Sequence, residues 1–241
     1  MKLVIDEQIK LGIGQTSVVY HGTLNAESIA AKKSTNGSSL CDESRILKIF
    51  KHKNVVKHRG LFELAGGDCL IMELALGGTL AEHLGYGKFS PTQKKSLIQQ
   101  ISSGLGHIHD KGIVHRDLKA ENLLFKDMMR EHIVIADFGS AQSYRDDVYA
   151  ENDHEDVDDD EYTFKSDVYL LGLVAFQILR DLRHFDRRRL TGAVLHQGYL
   201  DNQDVCGSWE MWRMIIQSLD REPEKRPTVM EFFAAFGAPP A

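Results

Sequence analysis

Eight residues, HRDLKAEN from His115 to Asn122, gather an imidazole, two cations, two carboxylates and an amide. Ile113 and Val114 precede them and Leu123, Leu124 and Phe125 follow, apolar flanks of the kind that anchor a segment in a core. Charge between such anchors is either a solvated loop joining two short strands or a set of groups that meets a charged ligand. In DFG at 137–139, Asp137 leaves the apolar stretch HIVIA just before a glycine, a place where aspartate commonly forms a turn. Together with Asn122 it offers two hard oxygens of the kind Mg²⁺ takes beside phosphate oxygens and water. Gly12 and Gly14 in LGIGQTSVVY lie between two strand patterns, where glycines either close a hairpin or let backbone amides approach a phosphate. Lys32 follows Val19 by 13 positions on a predicted strand, whose alternation turns Ala31 and Lys33 to the opposite face. Lys33 reads as a surface lysine.

The bulk of the chain limits what these groups can serve. Its 241 residues suffice for a sizeable core, as one large domain or two lobes packed on each other. A net charge of −6 gives no general attraction to nucleic acid or to an anionic membrane. Cys41, Cys69 and Cys206 are far apart and form neither a CxxC pair nor an even set, which predicts free thiols in a reducing compartment and no structural zinc. MKLVIDEQIK lacks the apolar core of a signal peptide, and the run LLGLVAFQIL at 170–179 is too short to span a bilayer. These features predict a soluble, cytoplasmic chain.

Positioning the groups requires two kinds of structure. Before residue 80 the patterns are those of strands, at 3–5, 17–24, 28–33 and 69–74, with turns rich in Gly, Asn or Asp between them. One helix is predicted among them, capped by Ser38 or Ser39, running to about Lys51 and burying Leu40, Ile46, Leu47 and Phe50. From Ser90 the pattern becomes helical, with Pro91 at a first helical position and a stripe of Leu97, Ile98, Ile101, Leu105 and Ile108. Further helices are predicted at 166–179, 209–219 and 228–236. The acidic stretch from Arg145 to Tyr162 reads as a solvated loop. The class is α+β, a mainly β lobe with one helix followed by a larger, mainly α lobe.

In order and spacing, these motifs resemble the eukaryotic-type protein kinases, from about Leu11 to Phe236. The resemblance implies a bilobal fold in a single domain, 1–241, with lobes at about 1–73 and 79–241 and a linker at about 74–78. It implies ATP and Mg²⁺. Leu11, Gly12, Gly14 and Ser17 would bind the nucleotide, the backbone of 12–17 covering its phosphates, and Lys32 would contact two of them, oriented by Glu43, with Asp42 the weaker choice. Glu73 and Ala75 would hydrogen-bond adenine through their backbone, Val19, Ala30 and Leu124 would sandwich it, and Met72 would guard the space behind. Asp117 would accept the proton of the substrate hydroxyl, Lys119 would neutralise the transferred phosphoryl group, and Asn122 and Asp137 would ligate Mg²⁺. Lysine at 119 resembles the serine/threonine class. Asp167 in KSDVYLLG would bond the catalytic-loop backbone, and Arg226 in DREPEKRPT would be a buried arginine.

The chain also departs from the family pattern. Ser17 replaces a third glycine. No APE follows DFG; DHE at 153–155 stands at its spacing, with Glu155 the expected partner of Arg226. The activation segment is correspondingly short, and Asp146 and Asp147 are expected to offer Arg116 the charge that a phosphate supplies elsewhere. Lys32 and Glu43 are 11 positions apart, so the helix or the linker before it is clipped. The expected function is phosphorylation of serine or threonine in a protein substrate. The alternatives are a pseudokinase-like module that binds a partner through its acidic segment and, further off, a small-molecule kinase. A minimal kinase that relies on an activating partner, of the sort some pathogens deliver into host cytosol, and an excised domain fit equally.

Overall fold

The computed structural model describes residues 2–87, 89–144, 163–183, 190–201 and 209–237. Five antiparallel strands open the chain: β1 (Leu3–Ile13), β2 (Ser17–Leu24), β3 (Glu27–Ser34), β4 (His58–Leu64) and β5 (Gly67–Glu73), in the order β1-β2-β3-β5-β4. Strand alternation divides β3 cleanly. Ile29 and Ala31 join Cys69 and Ile71 in a small core on one face, covered by Leu3, Ile5, Leu24, Phe62 and Leu64. Ala30 and Lys32 point to the other face, where they pair with Met72 and Leu70 of β5. The expected direction of Lys32 is therefore the observed one, and Lys33 bonds Glu7 on the far side at 2.7 Å.

Helix α1 (Cys41–Ile49) lies between β3 and β4. Neither expected serine is its N-cap residue, although the Ser39 hydroxyl accepts the Cys41 amide at 3.1 Å. Leu40 is the N-cap residue and carries no side-chain cap; Asp68, at the start of β5, accepts the Leu40 amide at 3.3 Å and the Ser39 hydroxyl at 2.9 Å. A carboxylate at a helix N-terminus also complements the helix dipole. Nine residues are too few for a stable isolated helix, so packing of the fully buried Ile46 and Leu47 must hold it in place.

The remaining elements are short or helical: α2 (Leu80–His83), α3 (Pro91–Asp110), β6 (Ile113–Val114), β7 (Leu123–Phe125), β8 (Ile133–Ile135), β9 (Gln142–Ser143), α4 (Phe164–Arg180), α5 (Gly192–Asp201), α6 (Trp209–Ser218) and α7 (Val229–Ala235). β6 pairs with β9 and β7 with β8. α3 starts on a capping box of Ser90 and Gln93 with proline inside it, and α4 on one of Thr163 and Ser166. α4 stops at Asp181, in left-handed conformation, whose carboxylate accepts the amides of Gly85 and Gly87. The two lobes share one large core that runs from Ile46 and Leu47 through Leu105, Ile135 and Phe138 to Trp212 and Phe232. The sequence patterns missed β4, β9, α2 and α5. No helix among the described residues is long and apolar enough to cross a membrane.

Glycine at 172 lets α4 approach α6. A Cβ there would overlap the Ser218 hydroxyl and lie 3.0 Å from the Ser218 Cβ, and Ser218 is itself fully buried and donates to Ile215. Gly172→Ala should therefore destabilise the chain by about 1–3 kcal/mol, read as an earlier midpoint in urea. An unshifted midpoint would mean the two helices separate without cost.

Candidate active site

The mainly β lobe contributes a buried charge cluster. Lys32 Nζ lies 2.8 and 2.7 Å from the two carboxylate oxygens of Glu43 and 2.7 Å from Asp137 Oδ1. The Lys32 and Glu43 side chains are only 8% and 5% exposed, so neither could be buried without its partner except at large desolvation cost. Glu43, the third residue of α1, is thus the lysine's partner; Asp42 pairs with Arg45 at the surface instead. Burial pulls the Lys32 ammonium down, but the Glu43 and Asp137 carboxylates outweigh it and its pKa rises. Burial likewise pushes Asp137 up, and Lys32 overcomes this to leave it below the usual carboxylate range. Burial also drives Glu43 upward, yet two short contacts to one ammonium are the geometry of a carboxylate.

The segment 113–125 is held from beneath by α4. Asp167, fully buried, accepts the amide of His115 at 2.7 Å and that of Arg116 at 2.8 Å, and meets His109 Nε2 at 2.9 Å. Arg116 has φ +69° and Asp137 φ +63°, left-handed conformations that cost a residue with a side chain of order 1–3 kcal/mol. Asp167 offsets this for Arg116 by accepting its amide and that of the residue before it. Bonds inside the segment then aim Asp117: Lys119 Nζ contacts its two oxygens at 2.9 and 2.7 Å, and Asn122 Nδ2 donates to its Oδ2 at 2.9 Å and its carbonyl at 2.8 Å. The ring of His115 accepts the Asp117 amide at Nδ1, 3.3 Å, which leaves Nε2 to donate to the Ala136 carbonyl, 3.2 Å. His115 thereby ties the loop to the residue before Asp137.

Pairing of β7 with β8 sets Leu123 against Ile135, and the Ala136 amide bonds the Asn122 carbonyl at 2.9 Å. Asn122 and Asp137 therefore leave adjacent strand ends. They supply two hard oxygens, and no cluster of three His, Cys, Asp or Glu side chains suited to a metal occurs among the described residues. Such a donor set fits a magnesium ion that draws its other ligands from phosphate and water.

The other expected positions lie around these groups. Val19 pairs with Lys32, and Ala30 with the buried Met72, on the same face of the sheet. Leu124 is half-buried at the edge of the main core. Leu11 and Gly12 close β1, Gly14 bonds the Ser17 carbonyl at 2.8 Å, and a side chain at Gly12 would meet no protein atom. The Glu73 amide is used by the Lys57 carbonyl, and those of Leu76 and Gly77 by Lys126 and Phe125; no bond among the described residues engages the Ala75 amide. The Glu73 carboxylate, which sequence reasoning passed over, meets Lys126 at 2.9 Å and the Lys57 amide at 3.0 Å and so fastens the linker. Arg226 is half-buried, lies over the Tyr169 ring, and donates to the carbonyls of Asp220, Lys165 and Arg221. Its expected partner Glu155 lies outside the described residues, as do Asp146 and Asp147; Arg116 bonds Gln142 at 2.9 Å.

Residues 5–235 match the family model for the protein kinase domain, and the chain belongs to that family. It is 28% identical to a calcium and calcium/calmodulin-dependent serine/threonine-protein kinase of Medicago truncatula over 240 residues, 93% of this chain and 46% of that protein. It is 31% identical to CBL-interacting serine/threonine-protein kinase 1 of Arabidopsis thaliana over 207 residues, 78% of this chain and 45% of that one. A tyrosine-protein kinase of Homo sapiens is 26% identical over 247 residues, 91% of this chain and 48% of its own. The chain spans less than half the length of these relatives.

Four histidines around the site, His52, His58, His107 and His115, are pushed below the usual value near 6.5, in each case first by burial. The unfolded chain then binds protons that the folded chain refuses, so stability is complete above the unfolded value and is lost as pH falls through that value toward the folded ones. The melting temperature should drop between about pH 7 and about pH 5.5, above the range where the carboxylates titrate. A flat profile over that interval would show that the four rings protonate freely in the fold.

Proposed function

We propose that the chain is an active serine/threonine protein kinase, transferring the γ-phosphoryl group of ATP to a hydroxyl of a protein substrate with Mg²⁺. The observation that carries this reading is Lys32 bonded at once to Glu43 and Asp137, while Asp117 is aimed by Lys119 and Asn122. In this reading the domain comprises 1–241, and nucleotide lies between the sheet face of Val19, Ala30 and Lys32 and the edge residue Leu124. Glu73 and Ala75 meet adenine through their backbone, and the turn from Leu11 to Ser17 covers the phosphates. The named relatives of the serine/threonine class and the lysine at 119 support that class.

Asp117 takes up the proton of the attacking hydroxyl, and its orientation is fixed by the two donors that share its carboxylate. Lys119 is half exposed, so it can leave Asp117 for the phosphoryl group at little cost. Lys32, held charged by two carboxylates, positions the phosphates. Mg²⁺, when bound to Asn122 and Asp137, neutralises charge on the phosphates. The rest of the catalysis is positioning, which the buried flanks of the loop provide. Location in the cytoplasm, an activating protein partner and independence from nucleic acid complete the proposal.

Asp117→Asn keeps the shape but not the base, and should slow transfer by about 10²–10⁴-fold while nucleotide still binds. Lys32→Ala should weaken nucleotide binding and abolish labelling, whereas Lys33→Ala, on the opposite face, should change either by less than about twofold. The assay uses radiolabelled ATP, a generic protein pool and a metabolite pool, with phosphoamino-acid analysis of the product. Full labelling by Asp117→Asn would refute the base assignment, phosphotyrosine would refute the hydroxyl class, and labelled metabolites alone would refute the protein substrate.

A further inference from the structure

The rotation of α1 about its own axis decides whether Glu43 reaches Lys32. The apolar contacts of Ile46 and Leu47 turn the buried face of the helix toward the core and so set that rotation only coarsely, because apolar burial is non-directional. One directional bond lies beside the ion pair. Ser44, 6% exposed, places Oγ 2.8 Å from Nε2 of His58. His58 opens β4 and pairs with Met72 of β5. Its neighbour Lys57 exchanges two bonds with Glu73, amide to carboxylate at 3.0 Å and carbonyl to amide at 2.9 Å. The serine thus joins the helix of the ion pair to the strands that lead into the linker.

Consecutive helical residues are about 100° apart around the axis. A turn of α1 that carries Glu43 off Lys32 therefore carries Ser44 off His58, and leaves a buried hydroxyl and a half-buried ring without partners. Burial and Lys48 both keep that ring neutral, so it retains one N–H and one lone pair, and the hydroxyl can satisfy either.

We propose that Ser44 and His58 form a positioning latch, a hydrogen bond that fixes α1 at the rotation where Glu43 meets Lys32 and so raises affinity for the nucleotide. Its effect on nucleotide rests on the kinase reading above; its effect on the helix does not. Amide hydrogen exchange of the full chain without nucleotide tests the helix. Ser44→Ala should speed exchange of the amides of residues 43–49 by about tenfold, His58→Leu should do the same, and the double variant should be no faster than either within about twofold. Unchanged exchange, or two effects that add, would overturn the latch. The second readout is the Kd of a non-hydrolysable ATP analogue with Mg²⁺, expected to rise about fivefold in each single variant while turnover at saturating ATP stays within about twofold. Ser102→Ala is the control, since it removes a buried hydroxyl bonded within α3, remote from α1. It should lower the melting temperature and leave both readouts alone; equal changes in Ser102→Ala would reduce the latch to general destabilisation and overturn it. If the wild-type chain bound no analogue, the proposed function would fail, and hydrogen exchange would still judge the latch.

Discussion

One ammonium group between two carboxylates constrains this fold more than any other contact. Lys32 belongs to a central strand, Glu43 to a helix and Asp137 to the turn after β8, and both carboxylates lie within 2.8 Å of the one ammonium. Lys32 and Glu43 are nearly excluded from water, so neither can be displaced alone without leaving a buried charge unpaired. The strand register, the rotation of α1 and the left-handed turn at Asp137 must therefore be satisfied together.

The framework that meets this demand is asymmetric. On the helical side, Asp167 in α4 fixes the backbone at 115–116, and His115 passes that constraint to Ala136. On the other side α1 has nine residues and no side-chain cap, and depends on partners distant in sequence: Asp68 at its start, Lys32 and His58 along its length. Between the two sides runs the segment 54–56, whose backbone bonds Ile135 in both directions at 2.9 Å. Asn54 adds a bond to the Ile133 carbonyl at 2.8 Å. Helix α1 and Asp137 are thus referenced to the same strand, β8, which is why the triad can close.

How much of this could be read in the sequence follows from the range of each interaction. Lys32 was assignable because strand alternation is local, and Asn122 and Asp137 because one stands just before a short apolar run and the other just after one. Glu43 over Asp42 came from family spacing, and Glu43 is the carboxylate that meets Lys32 in the fold. Asp68 as the anchor of α1 was not legible, since it reaches back 28 residues from the start of β5. Nor was the Ser44–His58 bond: β4 itself was missed, because HRGLFEL sets charge and glycine among its apolar residues. α5 escaped for a similar reason, with little amphipathic pattern in GAVLHQGYLD. The expected partner of Arg226, Glu155, lies outside the described residues; among those described, carbonyls and the face of Tyr169 receive Arg226, partners that no side-chain pattern announces.

The charges of the site differ in how firmly they are held, and the difference follows burial. Lys32 and Glu43 are fixed because their separation would strand charge in a low-dielectric interior. Asp117 and Lys119 meet at a similar distance, 2.7 Å, but with side chains 36% and 48% exposed, where an ion pair is worth about 0–1 kcal/mol. A phosphoryl oxygen can compete for such a lysine, and it cannot compete for the interior pair at comparable cost. Asp137 lies between these limits, 48% exposed yet bonded to Lys32. One oxygen is engaged by the interior pair while the carboxylate as a whole still reaches solvent. A gradient from fixed to exchangeable charge is what the proposed transfer requires: anchors that do not move beside ligands that must.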